Sequence, residues 1–230
     1  MSEINRRQFL NYMAALPCSM LFTDNSHAEA ANPKLNHLPE HSPKSSSRHL
    51  RGVIHELEGD VFINKNIANL SSIIQSGDRV SVAYGARLIF SMADDTYLLQ
   101  EASSLELVSH NDIAISGLRL LTGGLLSVFG PRETPTNIYT RTAVIGIRGT
   151  GVYLNSQPEK LYFCTCYGKT DLHLGRHHTE HIEATHHHAF DITGNTQNTM
   201  TMQATQVIGH SDDELRRLEH YSGRKPSFDL

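Results

Sequence analysis

Two neighbouring stretches decide the fold class: "AVIGIRGTGVYL" at residues 143–154 and "KLYFCTCYG" at residues 160–168. Both are short runs of β-branched and aromatic residues bounded by residues that favour turns. A phosphate-binding loop would place its glycines before a helix, with a Lys following. Here the strand-like "VYL" follows the glycines, which are Gly146, Gly149 and Gly151. These glycines therefore indicate β-bulges or tight corners where another backbone comes close.

Arg148 stands among these glycines. A guanidinium in this position can bind an anionic ligand, or it can donate hydrogen bonds to the carbonyls of a neighbouring turn. We expect the second arrangement.

The surrounding chain repeats this pattern of short β-like runs separated by Gly, Asn, Asp and Ser. Strand starts near Arg87, Thr96 and Ser104 follow one another at about eight or nine residues, a spacing typical of sandwiches, barrels and short solenoids. The sequence therefore predicts an all-β domain over residues 50–175, built as a short β-solenoid or a sandwich.

The last part of the chain, residues 176–230, is predicted to be a histidine-rich tail that ends in one short helix. Ser211 and Glu214 have the spacing of a capping box, and Gly223 with Pro226 beyond it marks a helix end. The helix is therefore expected from Asp212 to about Tyr221.

The amino-terminal segment has the features of an export signal. Arg6 and Arg7 precede an apolar run that is shorter than the roughly 20 residues needed to span a bilayer. The string "NRRQFL" at residues 5–10 resembles the twin-arginine export signal, and Ala28-Glu29-Ala30 offers a small-x-small cleavage site. We predict a signal peptide over residues 1–30, removal of Cys18 with it, and no stable membrane anchor after cleavage.

The same features predict a periplasmic protein, although an ordinary amino terminus with a chance Arg pair stays open. Residues 31–49 are rich in Pro and Ser and poor in large apolar residues, which predicts a disordered linker. The chain has 230 residues, 39% of them hydrophobic, and a formal net charge of -4 with no basic cluster. Nucleic-acid binding is therefore not expected.

The pair Cys164 and Cys166 needs a chemical explanation. Alternation along a strand puts both thiols on one side, and Phe163, Thr165 and Tyr167 on the other. Cβ atoms two residues apart in a strand lie about 6 to 7 Å from each other, whereas an unstrained disulfide needs about 3.5 to 4.5 Å. A metal ion bridges two such thiolates with less distortion. Inert buried thiols and a disulfide remain the alternatives.

Two imidazoles would complete a tetrahedral set around a soft ion such as zinc, copper or iron. The chain is rich in histidine after residue 172, and we choose His187 and His210 as these ligands, with His186 as a substitute. Three other histidines have the spacing to line one face of a helix: His173, His177 and His181.

Several stretches resemble the FecR domain of iron-dicitrate sensing proteins. They are "SGDRV" at 76–80, the run 85–107, "LRLLTGGLL" at 118–126 and, most specifically, "TAVIGIRGTGVYL" at 142–154. The resemblance implies an all-β, solenoid-like periplasmic module over residues 50–175. Family members of the transmembrane type carry a cytoplasmic anti-sigma region and a membrane helix, and we expect neither here. A soluble subgroup is similar also in a Cys-x-Cys-Tyr-Gly strand, a paired histidine and a terminal "H-x-D-x-E-L" helix.

Three functions follow as hypotheses. The first is a non-enzymatic FecR-like sensing or binding protein of the periplasm that holds a metal and meets a protein or small ligand there. The second is a redox or metal-dependent enzyme that uses Cys164 and Cys166. The third is a structural envelope module with inert thiols. No hydrolytic nucleophile motif is present in the sequence.

Overall fold

The computed structural model describes residues 50–109, 115–175, 178–194 and 200–230. The predicted export signal, the predicted linker and His177 lie outside the described residues. No helix in the described part of the chain is long and apolar enough to cross a membrane.

The described residues form strands throughout, followed by one α-helix. The helix α1 spans Asp212–Tyr221, and a short 3₁₀ helix follows at Ser227–Asp229. The strands are β1 (Arg51–Glu58), β2 (Val61–Ile63), β3 (Asn66–Ile67), β4 (Ile73–Gln75), β5 (Arg79–Val82), β6 (Arg87–Met92), β7 (Asp95–Leu99), β8 (Ser104–Ser109), β9 (Ile115–Val128), β10 (Thr136–Tyr139), β11 (Val144–Ile147), β12 (Gly151–Ser156), β13 (Lys160–Leu174), β14 (His178–Ala184), β15 (His188–Gly194) and β16 (Met200–Ala204).

The long strands β9 and β13 join two ladders, because each strand pairs with different partners along its two halves. The first ladder runs in the order β16, β15, β13, β12, β9, β7, β6, β1, β4. The second runs β14, β13, β11, β10, β9, β8, β5, β2, β3. Among these pairs only β9 with β10 is parallel.

The main hydrophobic core draws on both ladders. Leu88, Phe90 and Leu125 come from the first ladder and Leu105 and Leu118 from the second, and all five side chains are fully buried. The two ladders therefore enclose this core as the two layers of a sandwich enclose theirs.

A second apolar cluster contains residues of the first ladder together with the helix. We call it the outer apolar cluster. Leu215 and Leu218 of α1 are fully buried in it, and burial of this kind contributes about 1.5 to 3 kcal/mol for each side chain. Its members are Ile89, Leu98, Leu126, Val128, Tyr153, Tyr162, Cys164, Cys166, Tyr167, Ala189, Leu215 and Leu218.

The structure confirms the all-β class and the single short helix. Ser211 caps α1, accepting a hydrogen bond from the backbone of Glu214, whose side chain returns to the Ser211 backbone. The sheet also continues beyond residue 175, since β14 and β15 both pair with β13. The helical face suggested for the histidines is wrong, because His173 lies in β13 and His181 in β14.

Candidate metal centre

The two cysteines sit in a row of residues that crosses the first ladder. Neighbouring strands bring Leu126 opposite Tyr153, Tyr153 opposite Cys164, and Cys164 opposite Ala189. Both thiols are free and fully buried, and both belong to the outer apolar cluster. Because Phe163 points into the main core, the alternation predicted for β13 holds at this position.

A β-bulge changes the alternation one residue later. Gly151 of β12 is opposite Tyr167, and Val152 is opposite Thr165, so Cys166 is the extra residue. A bulge can turn two successive side chains toward the same face, and Tyr167 joins the two cysteines in the outer apolar cluster. The prediction that Tyr167 lies on the opposite side from the thiols is therefore wrong.

His187 reaches the thiols from the connection between β14 and β15. Its backbone has φ +47°, a left-handed conformation that non-glycine residues seldom adopt. Its backbone N–H donates to the carbonyl of Cys166 at 2.8 Å, which holds this turn against β13. A strained residue of this kind is common at functional sites, where the surrounding structure enforces it.

His210 arrives from the segment just before α1. Its ring stacks on Tyr153 with centroids 4.6 Å apart. Gly209 has φ +78°, and a Cβ atom there would lie 2.5 Å from the Tyr153 hydroxyl. Gln100 donates to the Gly209 carbonyl at 2.6 Å. Only glycine therefore allows this approach of the chain to the sheet.

Four donor atoms converge as a result. One atom from each of Cys164, Cys166, His187 and His210 lies within 4.8 Å of all the others. Cys164 Sγ is 3.6 Å from His187 Nδ1, Cys166 Sγ is 3.3 Å from His210 Nε2, and the two nitrogens are 3.2 Å apart. We call these four residues the candidate metal centre.

These separations match a single tetrahedral ion. Bond lengths of about 2.3 Å to sulfur and about 2.0 to 2.1 Å to nitrogen imply edges of about 3.6 Å between S and N and about 3.3 Å between two N atoms. The structure thus brings together the four residues chosen from the sequence, and the three separations given above are close to those around one zinc-sized ion.

Comparisons with known proteins give little further information. No family model matches the sequence, and no curated protein matches it. Two crystal structures, at 2.50 Å and 1.65 Å resolution, of a candidate anti-sigma factor from Parabacteroides distasonis ATCC 8503 are similar, each with a TM-score of 0.46 and 13% identity. The match covers 56% of this chain and 60% of that one. This similarity is too distant to indicate a function.

In each ring, the nitrogen that points away from the sulfurs lies within hydrogen-bond distance of an oxygen acceptor. His210 Nδ1 is 3.0 Å from the Ile208 carbonyl, and His187 Nε2 is 2.8 Å from an Asp212 carboxylate oxygen. Since these oxygens accept, both nitrogens carry hydrogen, and the lone pairs of His187 Nδ1 and His210 Nε2 face the two sulfurs. A carboxylate or carbonyl behind a ligating histidine is the usual support at metal sites.

The thiols differ in acidity. A hydrogen bond from Cys166 lowers the pKa of Cys164 to about 5 despite burial. Burial, and then the neighbouring Cys164, raises the pKa of Cys166 well above its usual range. Deprotonation is therefore easier at Cys164 than at Cys166, and an ion that binds both sulfurs must displace a proton from Cys166.

Asp212 is the supporting residue that sequence reasoning missed, because its position in the first turn of α1 explains an acidic residue by itself. Burial raises its pKa, but hydrogen bonds from His187 and His186 outweigh this and lower the pKa below its ordinary value. The sequence signal is the "H-x-D" spacing of His210 and Asp212. His186, chosen as a substitute ligand, contacts Asp212 rather than the sulfurs.

The glycine motif lies beside this site. At Gly151 a Cβ atom would lie 2.4 Å from the Tyr167 ring, and at Gly149, where φ is +67°, it would lie 3.0 Å from Pro131. At Gly146 the nearest atom would be 3.5 Å away, an ordinary contact. Arg148 is exposed and has no hydrogen-bond partner among the described residues, so the expected bonds to a neighbouring turn are not seen there.

Proposed function

We propose that this protein is an exported, non-enzymatic binding protein that holds one transition metal ion in the candidate metal centre. One observation carries the proposal. Two imidazole lone pairs face each other with their nitrogens 3.2 Å apart, beside two buried sulfurs. With one hydrogen on each ring, neither of these nitrogens has a hydrogen to offer the other, and a cation between them would satisfy both lone pairs.

Zn²⁺ is the ion that fits these donors best. Two thiolates and two neutral imidazoles carry two negative charges, which a divalent ion neutralises in a buried site. Copper(I) would leave one negative charge uncompensated there. Ferrous iron has the right charge, but a site with these donors holds it more weakly than Zn²⁺.

The biological role that we propose is FecR-like sensing or binding in the periplasm. The glycine-containing stretch at residues 142–154 and the twin-arginine-like string support it. The donor set favours holding an ion over catalysis, because four protein ligands leave no position for a substrate. The partner would be a protein or a small ligand of the periplasm.

The direct test is the metal content of protein purified after native export. We expect about one zinc per chain, and almost none in Cys164→Ser, because a hydroxyl is a poor replacement for thiolate at a soft site. Thr165→Ser is the matched control, since it changes the neighbouring residue of the same buried strand and keeps the hydroxyl that bonds Thr170. That variant should keep its metal.

Wild-type protein without stoichiometric metal would refute the proposal. So would a Cys164→Ser variant with undiminished metal content. Either result would favour inert core thiols, whereas thiols that cycle between oxidised and reduced forms would favour a redox enzyme.

A further inference from the structure

A second group of metal-binding side chains borders the candidate metal centre on its solvent side. His186 Nε2 lies 3.0 and 3.1 Å from the two carboxylate oxygens of Asp212, and His187 Nε2 lies 2.8 Å from one of them. One donor atom from each residue lies within 4.8 Å of the other two. We call these three residues the outer group.

The outer group is the part of this region that solvent reaches. The His186 side chain is 49% exposed and that of His187 only 11%, while both cysteines are fully buried. An open cavity of about 690 Å³ borders His186 and Asp212. The other charged side chains of its lining are Glu183, Asp229 and Arg216, and Arg216 is paired with Asp229. Glu183 is paired with Lys169, so Asp212, which contacts both histidines, is the lining carboxylate that a cation approaching through the cavity meets before the thiols.

The ring of His187 belongs to both groups. Its Nδ1 faces the sulfurs and its Nε2 faces Asp212. A neutral imidazole has one lone pair, so a metal on Nε2 leaves the hydrogen on Nδ1, and the inner centre then lacks a ligand. While the ring keeps one hydrogen, the two positions exclude each other. The two groups therefore cannot both hold an ion at the same time through this ring.

We propose that His186, Asp212 and Nε2 of His187 form a transient binding position for a divalent transition metal ion entering or leaving the candidate metal centre. This inference rests on the proposed function. Inward transfer breaks the bonds to His186, Asp212 and Nε2, and forms bonds to Nδ1, His210 and the two sulfurs. The ring hydrogen of His187 moves from Nδ1 to Nε2 through solvent, and any thiol hydrogens are released to solvent.

The test measures the rates of metal uptake and release separately from the affinity for the metal. Co²⁺ is the probe, because its absorption reports tetrahedral thiolate binding. Uptake by metal-free protein and release to an excess of chelator are followed by stopped flow. His186→Phe removes the donor but keeps a ring beside Phe228, whose centroid is 4.7 Å away. We expect both rates to fall by the same factor, so that their ratio, and with it the affinity for Co²⁺, is unchanged.

The matched control is His188→Phe. His188 is the next exposed histidine along the chain, and its ring lies against Phe190. This variant should keep both wild-type rates. Wild-type rates in His186→Phe would overturn the inference. So would a fall in affinity with little change in uptake, which marks a structural role for His186. If wild-type protein fails to bind Co²⁺ or Zn²⁺ at all, the proposed function itself is wrong.

Discussion

At the scale of single residues, the site depends on backbone positions as much as on the ligands. His187 adopts φ +47° and donates its N–H to Cys166, and Gly209 at φ +78° lets His210 lie on Tyr153. Glycine adopts positive φ without strain, whereas a histidine such as His187 seldom does. Contacts with β12 and β13 hold both histidines in place, so changes that do not touch a ligand should still affect the donor geometry.

Gly209→Ala tests this dependence. The added methyl would lie 2.5 Å from the Tyr153 hydroxyl, so the segment carrying His210 must move. We expect a loss of about 1 kcal/mol or more in stability and a weaker hold on zinc, measured by denaturant unfolding and chelator competition. Gly77→Ala is the control, because Gly77 also has positive φ, at +92°, but nothing lies within 4 Å of its Cβ position. Equal effects on zinc in the two variants would contradict the contact argument.

At the scale of elements, helix α1 adjoins the candidate metal centre at its amino-terminal end and contacts the sheet at its other end. His210 directly precedes its cap and Asp212 holds His187. At the other end, Tyr221 stacks on His55 at 4.2 Å and donates to Glu56 at 2.6 Å. Metal binding would therefore add a tether at the amino-terminal end of a helix that the sheet already holds.

Loss of this tether should loosen the beginning of α1. We expect His210→Ala, or removal of metal by a chelator, to speed amide hydrogen exchange over residues 205–215, with a smaller effect near Tyr221. His220→Ala is the control, because His220 is an exposed histidine of the same helix. If exchange in the metal-free protein matches that of the metal-bound protein, then the metal does not hold the helix.

A buried polar network lies at the start of β7, where Asp95 is the first residue. Asp95 accepts hydrogen bonds from the Tyr97 hydroxyl at 3.1 Å and the Gly130 N–H at 3.1 Å, and it is paired with Arg132. Burial, and then the charge of Asp95, raises the pKa of Tyr97 well above its usual range. In the unfolded chain Tyr97 ionises near pH 10, so the stability that this residue contributes is complete below that pH and is lost above it.

Tyr97→Phe should reveal this pH dependence. We expect the variant to be less stable at pH 8 by about 1.5 to 3 kcal/mol, the value of a hydrogen bond to a charged group. The difference in unfolding free energy should narrow between pH 9 and pH 11, because only the wild type loses the contribution of Tyr97. Tyr84→Phe, at an exposed tyrosine, serves as the control. A difference that stays constant over this pH range would show that Tyr97 is not the group responsible.

At the scale of the whole molecule, a two-layer β structure carries the candidate metal centre on the outer face of one layer, beneath a carboxyl-terminal segment. Cysteine thiolates outside the cytoplasm are exposed to oxidation. An export route that carries folded proteins would allow the metal to be inserted before the thiols meet an oxidant.

Export is tested by Arg6→Lys with Arg7→Lys. We expect this double variant to stay in the cytoplasm, because the twin-arginine-like string needs both guanidinium groups. The wild-type protein should be processed to begin at Ala31. Arg48→Lys with Arg51→Lys is a matched control beyond the signal and should not change export. Stable full-length wild-type protein in the cytoplasm of its own cell would contradict the prediction.

The sequence by itself determined the features that depend on local chemistry. Alternating apolar residues and turn residues predicted the all-β class, and the Ser211 cap with Gly223 predicted the helix at its observed bounds. Strand period placed Cys164 and Cys166 on one face. Two soft thiolates favour an ion such as zinc, copper or iron, and two imidazoles complete the tetrahedral set around it.

Tertiary structure decided what depends on long-range pairing. Strand pairing carried the histidine-rich residues 178–194 into the sheet as β14 and β15, whereas the sequence predicted no strands in this tail. The bulge at Cys166 moved Tyr167 to the face of the thiols, and Asp212 became the support of His187. None of this follows from periodicity, because register, bulges and contacts between residues far apart in the chain depend on how the whole sheet packs.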